Sequence, residues 1–239
     1  MKLSIIIPTL EEEKYLPFLI NSIKKQTRSD PVAFEIIVAD AGSKDKTVKI
    51  AKSQGCQVIR GGLPARGRNQ GAKIAKGELV LFLDADTILP ENSLEKFLSE
   101  FKKRNLDIAG FLLQPWQEDK FFKILYNLFY NWPVLVLEKI LPHSAGAILI
   151  KKSLYQKIGG FDEKIKIAED HIYSRKALRF GRFGILRTAK IYYSQRRFER
   201  DGLIRTYLKY LLAEFHLIFF GPIKSDIFKY DLQSKRFKG

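Results

Sequence analysis

"LVLFLDADTILP", residues 79–90, passes from an unbroken apolar run into two carboxylates one residue apart. The apolar run reads as a buried strand. In an extended segment, Asp84 and Asp86 project from one side of the backbone while the small Ala85 points away. Two carboxylates held so close repel each other unless a cation sits with them. A hard divalent ion such as Mg2+ or Mn2+ takes oxygen ligands of this kind, with substrate phosphates completing its shell. The competing reading is helix capping, because "TILPENSLEKFL" follows and Pro90 and Glu91 are expected to start a helix.

The same grammar runs through the first half of the chain. "LSIII" (Leu3 to Ile7) is a strand closed by Pro8, and Thr9 with Glu12 has the spacing of a capping box that opens a helix through about Gln26. "EIIVA" (Glu35 to Ala39) is a second strand, "DAGSKDKTVKIAKSQG" a turn and a helix ending near Gly55, "QVI" a third strand, and residues 65–76 another helix. Strands alternating with helical segments predict an α/β chain with a mostly parallel sheet, whose ligand site lies beyond the carboxyl ends of the strands. Pro8, Thr9, Asp40, Asp84 and Asp86 all fall there, although they are far apart in sequence.

A length of 239 residues with 46% hydrophobic content is enough for one domain with a full core. The single cysteine, Cys56, excludes an internal disulfide, and "MKLSIIIPTLEEE" lacks the apolar core of a secretory leader, so a reducing cytoplasm is the expected compartment. Forty-two Lys and Arg against 26 Asp and Glu give a net charge of +16. Such a balance favours an anionic partner: nucleotide phosphates, nucleic acid or an acidic membrane face.

Four blocks in order resemble the nucleotide-sugar glycosyltransferases of family 2, which have the GT-A fold: "SIIIPTLEEEKYL", "EIIVADAGSKDKTVKIA", "GELVLFLDADTILP" and "GAILIKKSLYQKIGGFDEKIKIAEDHIYSRKALRFG". The resemblance covers most of residues 1–185 and implies a Rossmann-like α/β sheet flanked by helices. It implies that Pro8 and Thr9 line the nucleobase and ribose, and that Asp40 accepts a hydrogen bond from the base. Asp84 then touches ribose or metal-bound water, and Asp86 ligates the Mn2+ or Mg2+ ion that bridges the diphosphate of a UDP- or GDP-linked sugar. Glu12 is grouped with this pocket. Arg66 and Arg68, in "GGLPARGRNQGA", are placed near the phosphates, with solvated helix-start residues as the alternative and nothing to choose between the two arginines.

On the acceptor side, Asp170 beside Glu169 is the expected catalytic base, taking the proton of an incoming hydroxyl in a single inverting displacement. Without the other blocks the two acids read as residues at a helix N-terminus. His143 and His171 are left out of the metal assignment, since the carboxylates already account for an ion. Some positions depart from the family. Ala41 stands where another acid or glycine is frequent, Glu11 replaces a common asparagine, and "YYSQRRFERDG" stands in place of the Gln-x-x-Arg-Trp signature of processive synthases. Arg196 and Arg197 either close over the diphosphate or are exposed loop cations.

One continuous domain is expected over 1–239, with a nucleotide-sugar half (1–110), an acceptor half (111–200) and an amphipathic helical tail (201–239). Lys120 to Pro142 and Leu203 to Ile223 are strongly apolar. In the second, Ile204, Tyr207, Leu208, Leu211, Phe215 and Ile218 recur at helical spacing, while Arg205, Lys209 and Glu214 interrupt any membrane span. Packing on the core and peripheral contact with an inner membrane face both stay open. The expected acceptor is a glycan or a lipid-linked hydroxyl compound. Two rival readings remain: a nucleotidyltransferase of similar fold, and a basic nucleic-acid-binding protein. The aromatic and basic signature of the latter is weak, around Tyr192 to Phe198, so no nucleic acid partner is expected.

Overall fold

Four parallel strands, β1 (Leu3–Thr9), β2 (Phe34–Asp40), β3 (Gln57–Arg60) and β4 (Leu79–Leu83), form the first half of the sheet in the computed structural model, which describes residues 2–26, 33–116 and 120–224. With β5 (Thr87–Ile88), β6 (Ile108–Pro115), β7 (Ala147–Lys151) and β8 (Phe183–Tyr193) they make an eight-stranded sheet in the order β3-β2-β1-β4-β7-β6-β8-β5. The sheet is mostly parallel, as expected. Strand β7 is antiparallel to both of its neighbours, β4 and β6, and β5 is antiparallel to β8.

The helices of the first half are α1 (Leu16–Lys24), α2 (Thr47–Ser53), α3 (Pro64–Ile74) and α4 (Ser93–Lys103). Beyond β6 come α5 (Lys120–Tyr126), one π-helical turn (Asn127–Asn131) and α6 (Trp132–Val136); then α7 (Lys152–Ile158), α8 (Glu169–Leu178), α9 (Arg196–Asp201) and α10 (Leu203–Phe219). The strands read as continuous apolar runs because helices cover both faces of the sheet. Leu3, Ile5, Ile7, Leu81 and Leu83 face a core shared with α1, α2 and α4, where Phe97 and Phe111 pack edge to face. Ile6, Val80 and Phe82 face the opposite core, shared with α3, α7 and α8.

Several expected boundaries shift, each for a local reason. Pro8 does not close β1, which continues to Thr9 in register with Asp40. Thr9 and Glu12 form no capping box: α1 starts at Leu16 with Pro17 in its first turn, and both polar side chains are engaged elsewhere. The helix expected at Pro90 and Glu91 starts at Ser93, after Asn92 in a left-handed conformation (φ 54°) that asparagine tolerates. Helix α10 is amphipathic, but the spaced apolar residues Ile204, Leu208, Leu211, Phe215 and Ile218 are exposed. Thr206, Ala213 and Leu217 face inward instead, and of the expected stripe Tyr207 packs against the core, stacked on Phe198. Residues 225–239 of the expected tail lie outside the described residues. Among the described residues no helix is long and apolar enough to cross a membrane.

Candidate active site

A cavity of about 650 Å3 opens beyond the carboxyl ends of β1 and β4. Pro8, Thr9, Glu12, Arg68, Asp84, Asp86, Glu169 and Asp170 all line it. Asp40 and Arg66 do not.

The aspartate pair enters the cavity from a turn. Asp84 follows the last residue of β4, and its carbonyl accepts hydrogen bonds from the Thr87 N–H (3.2 Å) and hydroxyl (2.8 Å). The segment from 84 to 87 therefore bends, and the expected alternation along an extended strand is not what brings the carboxylates together. Asp86 is 2% exposed. Its Oδ2 lies 2.8 Å from Arg196 Nε, but out of line with the N–H, so this buried oxygen accepts no hydrogen bond. Burial raises the Asp86 carboxyl above its ordinary range, with Arg196 opposing and Asp84 adding to the shift.

Arg68 reaches the cavity from α3, which lies close on β1 because Gly67 and Gly71 face the strand: a β-carbon at Gly71 would overlap the Ile6 side chain. Its guanidinium donates from Nη2 to Asp84 Oδ1 (2.7 Å) and from Nη1 to Glu169 Oε1 (2.5 Å), bridging the two acid pairs. Burial works against this cation, yet Asp84, Glu169 and Asp170 hold it protonated beyond the arginine norm. Burial raises Glu169 despite Arg68. Arg66, two positions away on the helix, is exposed, which separates the two arginines that the sequence left equivalent.

Glu12 is gripped by Arg196, whose Nη1 and Nη2 each donate to one carboxylate oxygen at 2.8 Å. Burial pushes Glu12 up to about 7, with Arg196 opposing and Asp86 and Asp84 reinforcing. Arg197 lines the same cavity. Both arginines therefore belong to the site, and the exposed-loop alternative does not hold. Asp40 sits behind the wall and fixes the loop: it accepts from Thr9 Oγ1 (3.0 Å), Gly42 N (2.9 Å), Ser43 N (2.8 Å) and the Ser43 hydroxyl, leaving Ala41 to line the cavity.

Opposite, Ala168 in a left-handed conformation (φ 55°) turns the chain into α8, so that Glu169 and Asp170 face the cavity. Asp170 Oδ1 accepts the His171 N–H at 3.0 Å and pairs with no arginine among the described residues. His171 Nδ1 lies 3.3 Å from Glu214 Oε2 on α10, and Arg175 holds the other Glu214 oxygen. His143, His171 and Glu214 offer nitrogen and oxygen atoms within 4.8 Å of one another. With Arg175 and His171 sharing Glu214, the set forms an ion-pair network that ties α10 to α8. Sequence reasoning missed Glu214, Ala168 and Tyr193, the last residue of β8, all of which line the cavity. Glu214 was visible only as a charge within the helical pattern, and each of the three owes its place at the site to tertiary packing.

The carboxylates fit a hard divalent cation. Arg68 and Arg196 meet the pair only in part, since the Asp86 oxygen accepts no hydrogen bond and Asp84 still raises the Asp86 carboxyl; an ion that takes oxygen ligands would relieve both.

The model of the family described as glycosyl transferase family 2 matches residues 4–180. The chain belongs to glycosyltransferase family 2. It is 28% identical over 210 residues to the poly(ribitol-phosphate) beta-N-acetylglucosaminyltransferase TarS of Staphylococcus aureus, a match that covers 82% of this chain and 36% of TarS. It is 32% identical over 133 residues to the human dolichyl-phosphate beta-glucosyltransferase, covering 48% of this chain and 37% of that protein. The chain thus spans little more than a third of these relatives. Residues 1–349 of S. aureus TarS with UDP superpose with a TM-score of 0.66 at 24% identity, covering 92% of this chain and 72% of that one. The Pyrobaculum calidifontis mannosyltransferase PcManGT with GDP-Man and Mn2+ gives 0.66 at 17% identity, covering 88% and 64%. These likenesses establish the GT-A fold. In this family 2 chain Glu12, Arg68, Asp84, Asp86, Glu169, Asp170, Arg196 and Arg197 line one cavity, drawn from the loop after β1, the turn after β4, α3, α8 and α9.

Proposed function

We propose that this glycosyltransferase moves a sugar from a nucleoside diphosphate sugar to an acceptor hydroxyl with inversion, using Mn2+ or Mg2+ at Asp84 and Asp86. The observation that carries the reading is Arg68, which joins Asp84 on one wall to Glu169 on the other, so that both acid pairs flank the same space. The donor fits against Pro8, Thr9 and Ala41, with residues 1–110 forming the donor half and residues 111–200 the acceptor half. Asp40 serves by holding that loop. A uridine or guanosine diphosphate is favoured by analogy with the ligands named for TarS and PcManGT.

The anomeric C–O bond to the diphosphate breaks as a bond forms from the acceptor oxygen to the same carbon, and the acceptor proton passes to the Asp170 carboxylate. Negative charge grows on the departing diphosphate. Arg68, Arg196 and Arg197, all on the cavity wall, stand ready to meet it. Glu169 is committed to Arg68, whereas Asp170, which accepts the His171 N–H and lies 3.7 Å from the His171 ring, is held by no arginine among the described residues and is the carboxylate assigned to the acceptor. The divalent ion, when bound, adds Lewis-acid stabilisation of the same leaving group.

The test is a panel of nucleotide sugars and nucleoside triphosphates with wild type and Asp170→Asn. Release of nucleoside diphosphate from a sugar nucleotide, lost in the variant by about a thousandfold or more with donor binding kept, is expected. Unchanged turnover in the variant removes Asp170 as base, and turnover of triphosphates to pyrophosphate favours a nucleotidyltransferase.

A further inference from the structure

The exposed apolar surface is concentrated. Among the described residues twenty large apolar side chains are exposed, and sixteen of them lie within 121–140 and 204–220. On α10 Leu208, Leu212, Phe215 and Phe219 follow at helical spacing on the side opposite Thr206, Ala213 and Leu217. The α5–α6 stretch adds Leu128, Phe129 and Trp132, each more than half exposed. The two stretches meet where Phe129 packs on Tyr207 with ring centroids 5.7 Å apart. Exposed apolar side chains clustered in this way mark a docking face.

Its charge selects the occupant. Each stretch holds one carboxylate, and both are turned inward: Glu138 pairs with Arg104 and Arg187, and Glu214 with Arg175 and His171. The outward charges within the two stretches are the exposed cations Lys139 and Arg205, and exposed Lys120 and Lys224 flank them. Apolar side chains, aromatics and a cationic fringe, on a chain of net charge +16, complement an anionic lipid surface. Two copies meeting through this face would oppose like charges. The cavity opens onto the same face, since Phe129, Ile204, Leu208 and Leu211 are both exposed and part of its lining.

We propose that the α5–α6 and α10 face seats on an anionic lipid bilayer, and that the acceptor is an amphiphile whose hydroxyl-bearing head enters the cavity from that bilayer. The acceptor half of this inference rests on the glycosyltransferase reading above; the bilayer half stands on the surface alone.

Flotation of the full chain with vesicles tests it, using phosphatidylcholine alone and phosphatidylcholine with about a third phosphatidylglycerol. The chain is expected to float about tenfold better with the anionic vesicles, and less well as salt is raised. Leu212→Ser with Phe215→Ser, and separately Trp132→Ser on the other stretch, should each weaken flotation severalfold. None of these residues lines the cavity, so the thermal shift given by UDP or GDP with Mn2+ should not change. Absence of flotation with either vesicle, or surface variants that float as well as wild type, overturns the proposal. So does sedimentation velocity showing a dimer that these substitutions dissolve. With labelled nucleotide sugar and a lysate of the source cells, label is expected in the butanol-extractable lipid; label confined to water-soluble glycan overturns the amphiphilic acceptor. Lost nucleotide binding with flotation intact would count against the glycosyltransferase site and not against the bilayer contact.

Discussion

Arg68 touches both acid pairs, so its removal leaves two largely buried carboxylates unmatched. Arg68→Ala should cost about 3 kcal/mol in a denaturant titration. Lysine should recover little of it, because a single ammonium cannot span Asp84 and Glu169 in the way a guanidinium fork does. Glu11 offers a gain. It adopts φ 56°, a left-handed conformation disfavoured for glutamate, and asparagine, the residue common at this position in the family, tolerates it. Glu11→Asn should stabilise the chain by about 0.5–1 kcal/mol, seen as a raised Tm; a fall would show that contacts of the Glu11 side chain outweigh the backbone relief. At this scale the end of a buried strand located Asp84 and Asp86, whereas Glu169 and Asp170 were singled out by the family resemblance, the helix start alone reading as N-terminal acids. The sequence did not separate Arg68 from Arg66, since two positions along a helix are opposite sides and only the packing of α3 says which side is in. Nor did it foresee that Asp40 would spend its carboxylate on its own loop.

At the scale of elements, the approach of α3 to β1 depends on Gly71. Gly71→Val should destabilise by about 3 kcal/mol through overlap with Ile6 and should pull Arg68 off its partners, weakening nucleotide binding as well as lowering Tm. The contact between α8 and α10 is pH-dependent. Burial tends to lower His171, but Asp170 and Glu214 prevail and hold it above its ordinary 6.5, with Arg175 opposing. Burial holds His143 well below 6.5, with His171 and Arg175 adding to the shift. The raised group gives stability that is full below 6.5 and fades as pH rises through its folded value; the lowered group removes stability as pH falls below 6.5. Stability of this contact should therefore peak near pH 6.5. His171→Gln should flatten the alkaline limb of a Tm–pH profile and soften the acid limb, since His171 no longer adds to the depression of His143, and an unchanged alkaline limb would mean that the pair does not hold α10. Helix α10 was visible in the sequence through its spacing, but not which of its faces packs inward, because Thr206 and Ala213 do not look like core residues. The antiparallel β7 also escaped, since alternation of strands and helices carries no direction.

On the scale of the whole molecule, the sheet and its ligand edge were legible because each buried strand is an apolar run ending in polar residues. The cavity's far wall was not, because α9 and α10 return from the end of the chain to cover acids more than a hundred residues upstream, and no local pattern announces such a return. That wall ties the donor pocket to the exposed apolar face, so donor chemistry and surface docking are to be tested in one protein. The central claim is that Asp84 and Asp86 would hold a divalent ion needed for binding the diphosphate of a sugar donor, and the direct measurement is thermal unfolding with UDP or GDP, with and without Mn2+. Wild type should gain several degrees only when nucleotide and Mn2+ are both present, and Asp86→Ala should lose that gain while folding normally. Indifference of the wild type to every nucleoside diphosphate, or an equal Mn2+-dependent gain in Asp86→Ala, would contradict the account.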